Sequence, residues 1–278
     1  METIRTDKMS DKEYFALKAI SATQIKQFDK GAYWFWKTTP FNPDRPPEQD
    51  TDAMIFGRLC HCLLLEPNAF DQTYTVVDFG KSRNNKLYAE AIANANGKTV
   101  VNQDEVDRAK LMAEKVKQHA LASTILDGAT AEFPFVWKDK ETGLDCKAKI
   151  DALKRTKNGI VVIDYKTSSD IEGLLNWPQK LQYPLQAEFY SRAVEAKYGK
   201  RPCEFVFVIQ SNKPGEEDIV CVANVDYESQ DVAKCVVDSH LVGISQKLIL
   251  WEETKDQNIW AAYPERCEMR YSNWYMTK

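Results

Sequence analysis

Apolar positions recur at helical spacing in some stretches of the chain and at strand spacing in others, and their order predicts the fold. Ile25 and Phe28 share a helical face within Ile20–Lys37, where Ser21 is placed to cap the start and Gly31 to end or bend the helix. Ile55, Leu59, Cys62 and Leu63 mark a second helix over Ala53–Glu66, stopped by Pro67. Val106, Ala109, Met112, Ala113, Val116 and Ala120 mark a third over Gln103–Ser123. Leu181, Leu185, Phe189, Ala193 and Val194 mark a fourth over Gln179–Tyr198, and Asp231–Trp251 reads as a fifth. Strand-like runs lie at Tyr74–Phe79, Ala129–Trp137, Cys203–Gln210 and Ile219–Val225, and Phe41–Asp52, with its prolines, is a loop. The expected class is α/β, a mixed central β-sheet flanked by helices. One domain over 1–278 is expected, with a mainly helical part over 1–128, a sheet core over 129–226 and a C-terminal helix and tail over 227–278.

The sharpest pattern lies between the third and fourth helices. In Asp145–Ala152, Asp145, Lys147, Lys149 and Asp151 fall on one side and Cys146, Ala148, Ile150 and Ala152 on the other. A polar turn, Arg155–Gly159, leads into the β-branched run Ile160–Lys166, which should pair back as a hairpin and place Asp164 beside Lys166. A charged pair that ends a buried apolar strand costs desolvation energy unless a divalent cation and a phosphate compensate it. A surface salt bridge is the plain alternative. The spacing D-x12-D-x-K supplies hard oxygen ligands suited to Mg2+ and a cation next to a water, which phosphodiester hydrolysis needs.

Five pieces in order then resemble the PD-(D/E)-x-K nuclease superfamily, in its RecB-like branch, and most of all the RecE-like (exonuclease VIII) nuclease domain. They are GRLCHCLLLEP at Gly57–Pro67, AEFPFVW at Ala131–Trp137, CKAKID ending at Asp151, DYKTS at Asp164–Ser168, and YPLQAEFY at Tyr183–Tyr190. The opening helix from Ser21 is similar to the S-x-x-x-I/L helix of the same branch. The resemblance implies a metal held by His61, Asp151, Asp164, the backbone carbonyl of Tyr165 and Glu132, with Lys166 orienting or helping to deprotonate the water. It also implies that Gln186 and Tyr190, one helical turn apart, line the site and contact DNA or the catalytic residues. Lys147, Lys149, Thr167 and Ser168 are candidates for phosphate contacts, with solvated side chains as the alternative for the lysines. A lone histidine such as His61 is ordinarily a packed core residue, and Cys60 and Cys62 cannot share an ion with it because adjacent helical residues diverge by about 100°.

Implied with the family are Mg2+, with Mn2+ as substitute, and an exonuclease that resects linear double-stranded DNA from its 5′ ends. So are a RecT-like single-strand annealing partner and a toroidal homo-oligomer. An endonuclease, a single-strand-preferring nuclease and a catalytically silent DNA-binding module are the alternatives. Cys203, Cys221, Cys235 and Cys267 are too spread for the cluster of a Cas4-like or AddB-like nuclease, and no GxxxxGK[ST] encodes an ATP-driven motor.

Composition adjusts this picture in two places. The net charge of −4 is awkward for a DNA enzyme and points to a local basic channel within an acidic exterior, which a ring would provide. The segment 81–86, with Lys81, Arg83 and Lys86, is either a solvated loop or a DNA contact at the channel entrance, and the aromatic cluster Tyr33–Trp36 either packs or stacks bases. Seven cysteines without paired spacing, no apolar leader and no run of roughly 18 apolar residues lead to the expectation of a cytoplasmic protein with no membrane contact.

Overall fold

Capping chemistry, more than propensity, divides the N-terminal helices. The computed structural model describes residues 9, 11–47, 50–80, 82–176 and 182–262, without the side chains at 11, 12, 132 and 133. After α1 (Asp11–Ala16), Ser21 and Gln24 form a capping box that starts α2 (Ala22–Lys30). Gly31, at φ +134°, then separates α2 from α3 (Ala32–Thr38), so of the two expectations for this residue it ends the helix rather than bends it. Of the aromatic cluster, Tyr33 and Trp34 stay exposed, whereas Phe35 and Trp36 are buried and Trp36 stacks on Trp260 at 4.5 Å.

Thr51 caps α4 (Asp52–Leu65), followed by α5 (Phe70–Thr73), β1 (Tyr74–Val76), α6 (Lys86–Asn94) and β2 (Thr99–Val101), which pairs parallel with β1. The segment before α6 is braced inward. Arg83 grips Glu105 at 2.7 and 2.8 Å and Asp52 at 3.4 Å, and Asn85 caps α6, whereas Lys86 is solvent-exposed and pairs with Glu90 at the surface. These contacts correct the DNA-contact reading of Arg83, while Lys81 lies outside the described residues. The helix expected over Gln103–Ser123 is also two, α7 (Gln103–Gln118) and α8 (Ala120–Leu126). His119 is the reason: its Nδ1 accepts the Ala122 N–H at 3.2 Å and caps α8.

The sheet contains β3 (Thr130–Lys138), β4 (Asp145–Thr156), β5 (Gly159–Ser168), β6 (Glu204–Ser211) and β7 (Val220–Ala223), in that order. Only β5 and β6 are parallel, joined through α9 (Ile171–Asn176) and α10 (Tyr183–Tyr198). The chain then enters α11 (Tyr227–Thr254). The stretch 179–181 of the fourth expected helix, including Leu181, lies outside the described residues, as does Cys267. On one face of the sheet, Leu59, Leu63, Met112 and Val116 bury Ile163, Tyr165, Val206 and Val208. On the other face, Ala193 and Val194 of α10 bury Ala148, Ile150, Leu153, Ile160 and Val162, and Phe189 joins a cluster with α2 and α11. The outcome is the expected α/β class, a mixed sheet with helices on both faces. Among the described residues no helix is long and apolar enough to cross a membrane.

One detail of the sheet positions everything that follows. The pairing of β4 with β5 runs only from Thr156↔Gly159 to Ala152↔Ile163, while β5 continues beside β6 as far as Ser168↔Ser211. The strands part just before Asp151 and Asp164 would face each other. Ile150 and Leu153 share one cluster although an odd number of residues apart, which a flat strand forbids, so β4 rolls over at this point. The freed edge of β4 is covered from the N-terminal side: Ile20 N–H donates to Asp145 O at 2.8 Å and Lys147 N–H to Ile20 O at 2.7 Å.

Candidate active site

The parting of β4 and β5 leaves backbone groups without strand partners, and side chains replace them. Asp151 Oδ2 accepts the Tyr165 N–H at 2.9 Å, a main-chain donor that continued pairing would have used. In an extended strand the N–H and C=O of a residue point to the same edge, so the Tyr165 carbonyl looks into the same gap. From α4, His61 brings Nδ1 to 3.4 Å from Asp151 Oδ2, with its ring 5.0 Å from that of Tyr165. One turn earlier on α4, a Cβ on Gly57 would stand 3.6 Å from Thr167 Oγ1, which shows how closely this helix passes the end of β5.

Asp164 points from β5 to the α10 face and is 1% exposed. Gln186 Nε2 donates to its Oδ1 at 2.8 Å, and the Lys166 ammonium stands 2.5 Å from its Oδ2. Both carboxylate oxygens are thus engaged, Oδ1 by an amide and Oδ2 by an ammonium. Burial pushes the Asp164 carboxyl above the usual carboxylate range, against the opposing pull of Lys166. For Lys166 burial works downward, but the Asp164 and Asp151 charges outweigh it and push its pKa up to about 12. Tyr190 lies one turn beyond Gln186 on the same helical face, and burial raises its hydroxyl pKa well above the ordinary value.

Asp151, Asp164, Lys166, His61, Gln186 and Tyr190 are thus brought together, and the other expected residues are placed differently. Lys147, expected at a phosphate or in solvent, is neither. It is 6% exposed and donates to the carbonyls of Tyr14 and Leu17 at 2.9 Å, capping the turn after α1. Lys149 and Tyr190 line a cavity of about 600 Å³ that also receives Lys37, Arg45, Ser21 and Phe15. Thr167 faces α4, and Ser168 Oγ accepts the Asp170 N–H at 3.0 Å, so Ser168 organises the strand end. The Glu132 side chain lies outside the described residues. Two residues escaped the sequence reading. Tyr183, whose ring lies 5.8 Å from Lys166 Nζ and 5.2 Å from Lys26 Nζ, sits one turn before Gln186, and that spacing was its available signal. Lys26 had none.

The donors at the gap are mostly hard oxygens, two carboxylates and a main-chain carbonyl, with one borderline imidazole. That set fits a small divalent cation. Among the described residues no three histidine, cysteine or acidic side chains form a preformed metal cluster.

A sheet that splits at two aspartates, with a lysine two positions after the second, defines a PD-(D/E)-x-K nuclease domain. More particularly, the chain belongs to the family described as a PDDEXK-like domain of unknown function (DUF3799), whose family model matches residues 21–270. Among solved structures it is similar to a "putative exonuclease" from Eubacterium rectale, at 12% identity over 88% of each chain with a TM-score of 0.57, a likeness of fold. A second structure, of SSO0001, has 14% identity over 55% of this chain and 69% of its own, with a TM-score of 0.28, too low to argue from. None of the curated proteins matches the chain.

Proposed function

We propose that this nuclease domain is a divalent-metal-dependent exonuclease of linear double-stranded DNA, acting from 5′ ends and leaving 3′ single-stranded tails. The observation that carries the reading is the meeting of Asp151, Asp164 and Lys166 where β4 and β5 part. Exonuclease action, 5′ polarity, a single-strand annealing partner and a toroidal homo-oligomer are supported by the resemblance to RecE-like nucleases. The name of the Eubacterium rectale neighbour agrees with exonuclease action.

In this reading Asp151, Asp164, the Tyr165 carbonyl, His61 and Glu132 would hold Mg2+, for which Mn2+ would substitute. The bound cation supplies neutralisation of the charge developing on the phosphate and a water of lowered pKa. Lys166, kept protonated at neutral pH by the two aspartates, orients the attacking water and faces the phosphate as an ammonium. Gln186 fixes the Asp164 carboxylate from the side opposite Lys166. Lys149 and Tyr190, on the wall of the adjoining cavity, contact the DNA strand leading away from the cut.

The test is digestion of linear duplex DNA labelled at either end, with Mg2+ or EDTA, beside covalently closed circles and an Asp164→Ala variant. Early Mg2+-dependent release of the 5′ label, with circles spared and the variant inert, is the expected outcome. Cutting of circles would replace exonuclease by endonuclease. Absence of any Asp164-dependent cleavage would leave a DNA-binding module.

A further inference from the structure

A second lysine, from the N-terminal part of the chain, reaches the amide that holds Asp164. The Ile20 rung on β4 and the Ser21–Gln24 capping box start α2 beside the strand that carries Asp151. From α2, Lys26 extends Nζ to Gln186 Oε1 at 2.7 Å, and Gln186 Nε2 in turn donates to Asp164 Oδ1 at 2.8 Å. An ammonium only donates, so the amide oxygen of Gln186 must face Lys26 and its NH2 group is left for the carboxylate. The reverse orientation would set a carbonyl oxygen against Asp164 and an NH2 group against an ammonium. Lys26, as an ammonium, therefore reinforces from the oxygen side the amide orientation that the Asp164 carboxylate also favours.

A lysine is held here against electrostatic resistance. Burial, and then the charge of Lys166, bring its pKa down to about 7, with Asp164 pulling the other way. Simple attachment of α2 to α10 does not require it. That seam has its own tie at Asp29, which accepts from Gln182 at the start of α10 and pairs with His240 of α11 at 2.9 Å. Lys26 spends its hydrogen bond on the amide that holds Asp164.

We propose that Lys26 is a positioning residue of the active centre, acting through Gln186 to hold the Asp164 carboxylate in its working orientation. The proposal rests on the reading of Asp164 as a carboxylate used in hydrolysis. Two readouts on the full chain test it. In metal-free protein, the side-chain amide NMR signal of Gln186, assigned by its loss in Gln186→Ala, reports the bond to Asp164. It should move in Lys26→Met and hold in Lys26→Arg, which still donates. In the nuclease assay, Lys26→Met should lower kcat about tenfold with KM changed less than about twofold, as for loss of one charge-assisted hydrogen bond, and Lys26→Arg should recover most of it. The Lys26→Met/Gln186→Ala double variant should be no slower than Gln186→Ala alone. An unmoved amide signal in Lys26→Met, or losses that simply add in the double variant, would overturn the proposal. If the wild-type protein cleaves no DNA, the proposed function fails, and the amide signal still decides whether Lys26 sets Gln186.

Discussion

The two ends of the β4–β5 hairpin follow opposite rules. At the turn end the strands pair rung by rung, with Leu153, Ile160 and Val162 buried on one face and Ala152 and Ile163 on the other. Backbone groups satisfy each other there, and apolar side chains gain by burial. At the far end the rungs stop, a carboxylate substitutes for a backbone acceptor, and the buried Asp164 is paired with the partly exposed Lys166. Burying those charges costs free energy that an apolar continuation of the hairpin would not. The difference teaches where stability and chemistry sit: at adjacent residues, Ile163 and Asp164, of the same strand.

Substitutions at the two ends should separate these properties. The largest effect is expected from Asp164→Asn, which keeps the shape and removes the charge. Hydrolysis of linear duplex DNA should fall by about 10³-fold or more, with the circular dichroism spectrum unchanged. Ile163→Ala, the neighbouring residue on the closed side, should do the reverse. It should lower unfolding stability by about 2–5 kcal/mol in a denaturant titration, while the folded fraction cleaves at close to the wild-type rate. Equal loss of activity in both would erase the distinction. Asp151 sits on the boundary and should show both behaviours. Asp151→Asn retains an acceptor for the Tyr165 N–H and should lose activity alone, whereas Asp151→Ala strands that donor and should also lose about 1–3 kcal/mol of stability.

How far the sequence shows this contrast depends on the distance over which each feature is written. The hairpin is local, and period-two alternation places Asp164 and Lys166 on one side of β5, but it misses the roll of β4 that sends Ala152 to the face opposite Ile150. Gln186 and Tyr190 are legible by the same logic at helical spacing. Alternation specifies a face but not what covers it. Lys147 and Lys149 belong to one face of β4 and both border the cavity, yet the ammonium of the first is turned into the carbonyls at the end of α1. The helix break at His119 was hidden because the cap is an imidazole rather than one of the usual capping side chains. Lys26 meets Gln186 across 160 residues, and nothing in a local window announces such a contact.

Lys147 offers the smallest and most specific test. Burial, with a further contribution from Arg45, lowers its pKa from the ordinary 10.5 to about 8. Between those values the unfolded chain binds a proton that the folded chain does not, so this residue's contribution to stability increases as pH rises through the window. Below the window both states are protonated, and the folded state bears the cost of enclosing an ammonium, offset by the carbonyls of Tyr14 and Leu17. Thermal unfolding of the wild type and Lys147→Met should therefore diverge from pH 8 to 10.5, with the wild type gaining on the variant. Parallel curves would mean that the ammonium keeps its ordinary pKa and reaches water. In that case α1 does not close over this face of β4, and Lys147 would rejoin Lys149 as a cation available to a phosphate.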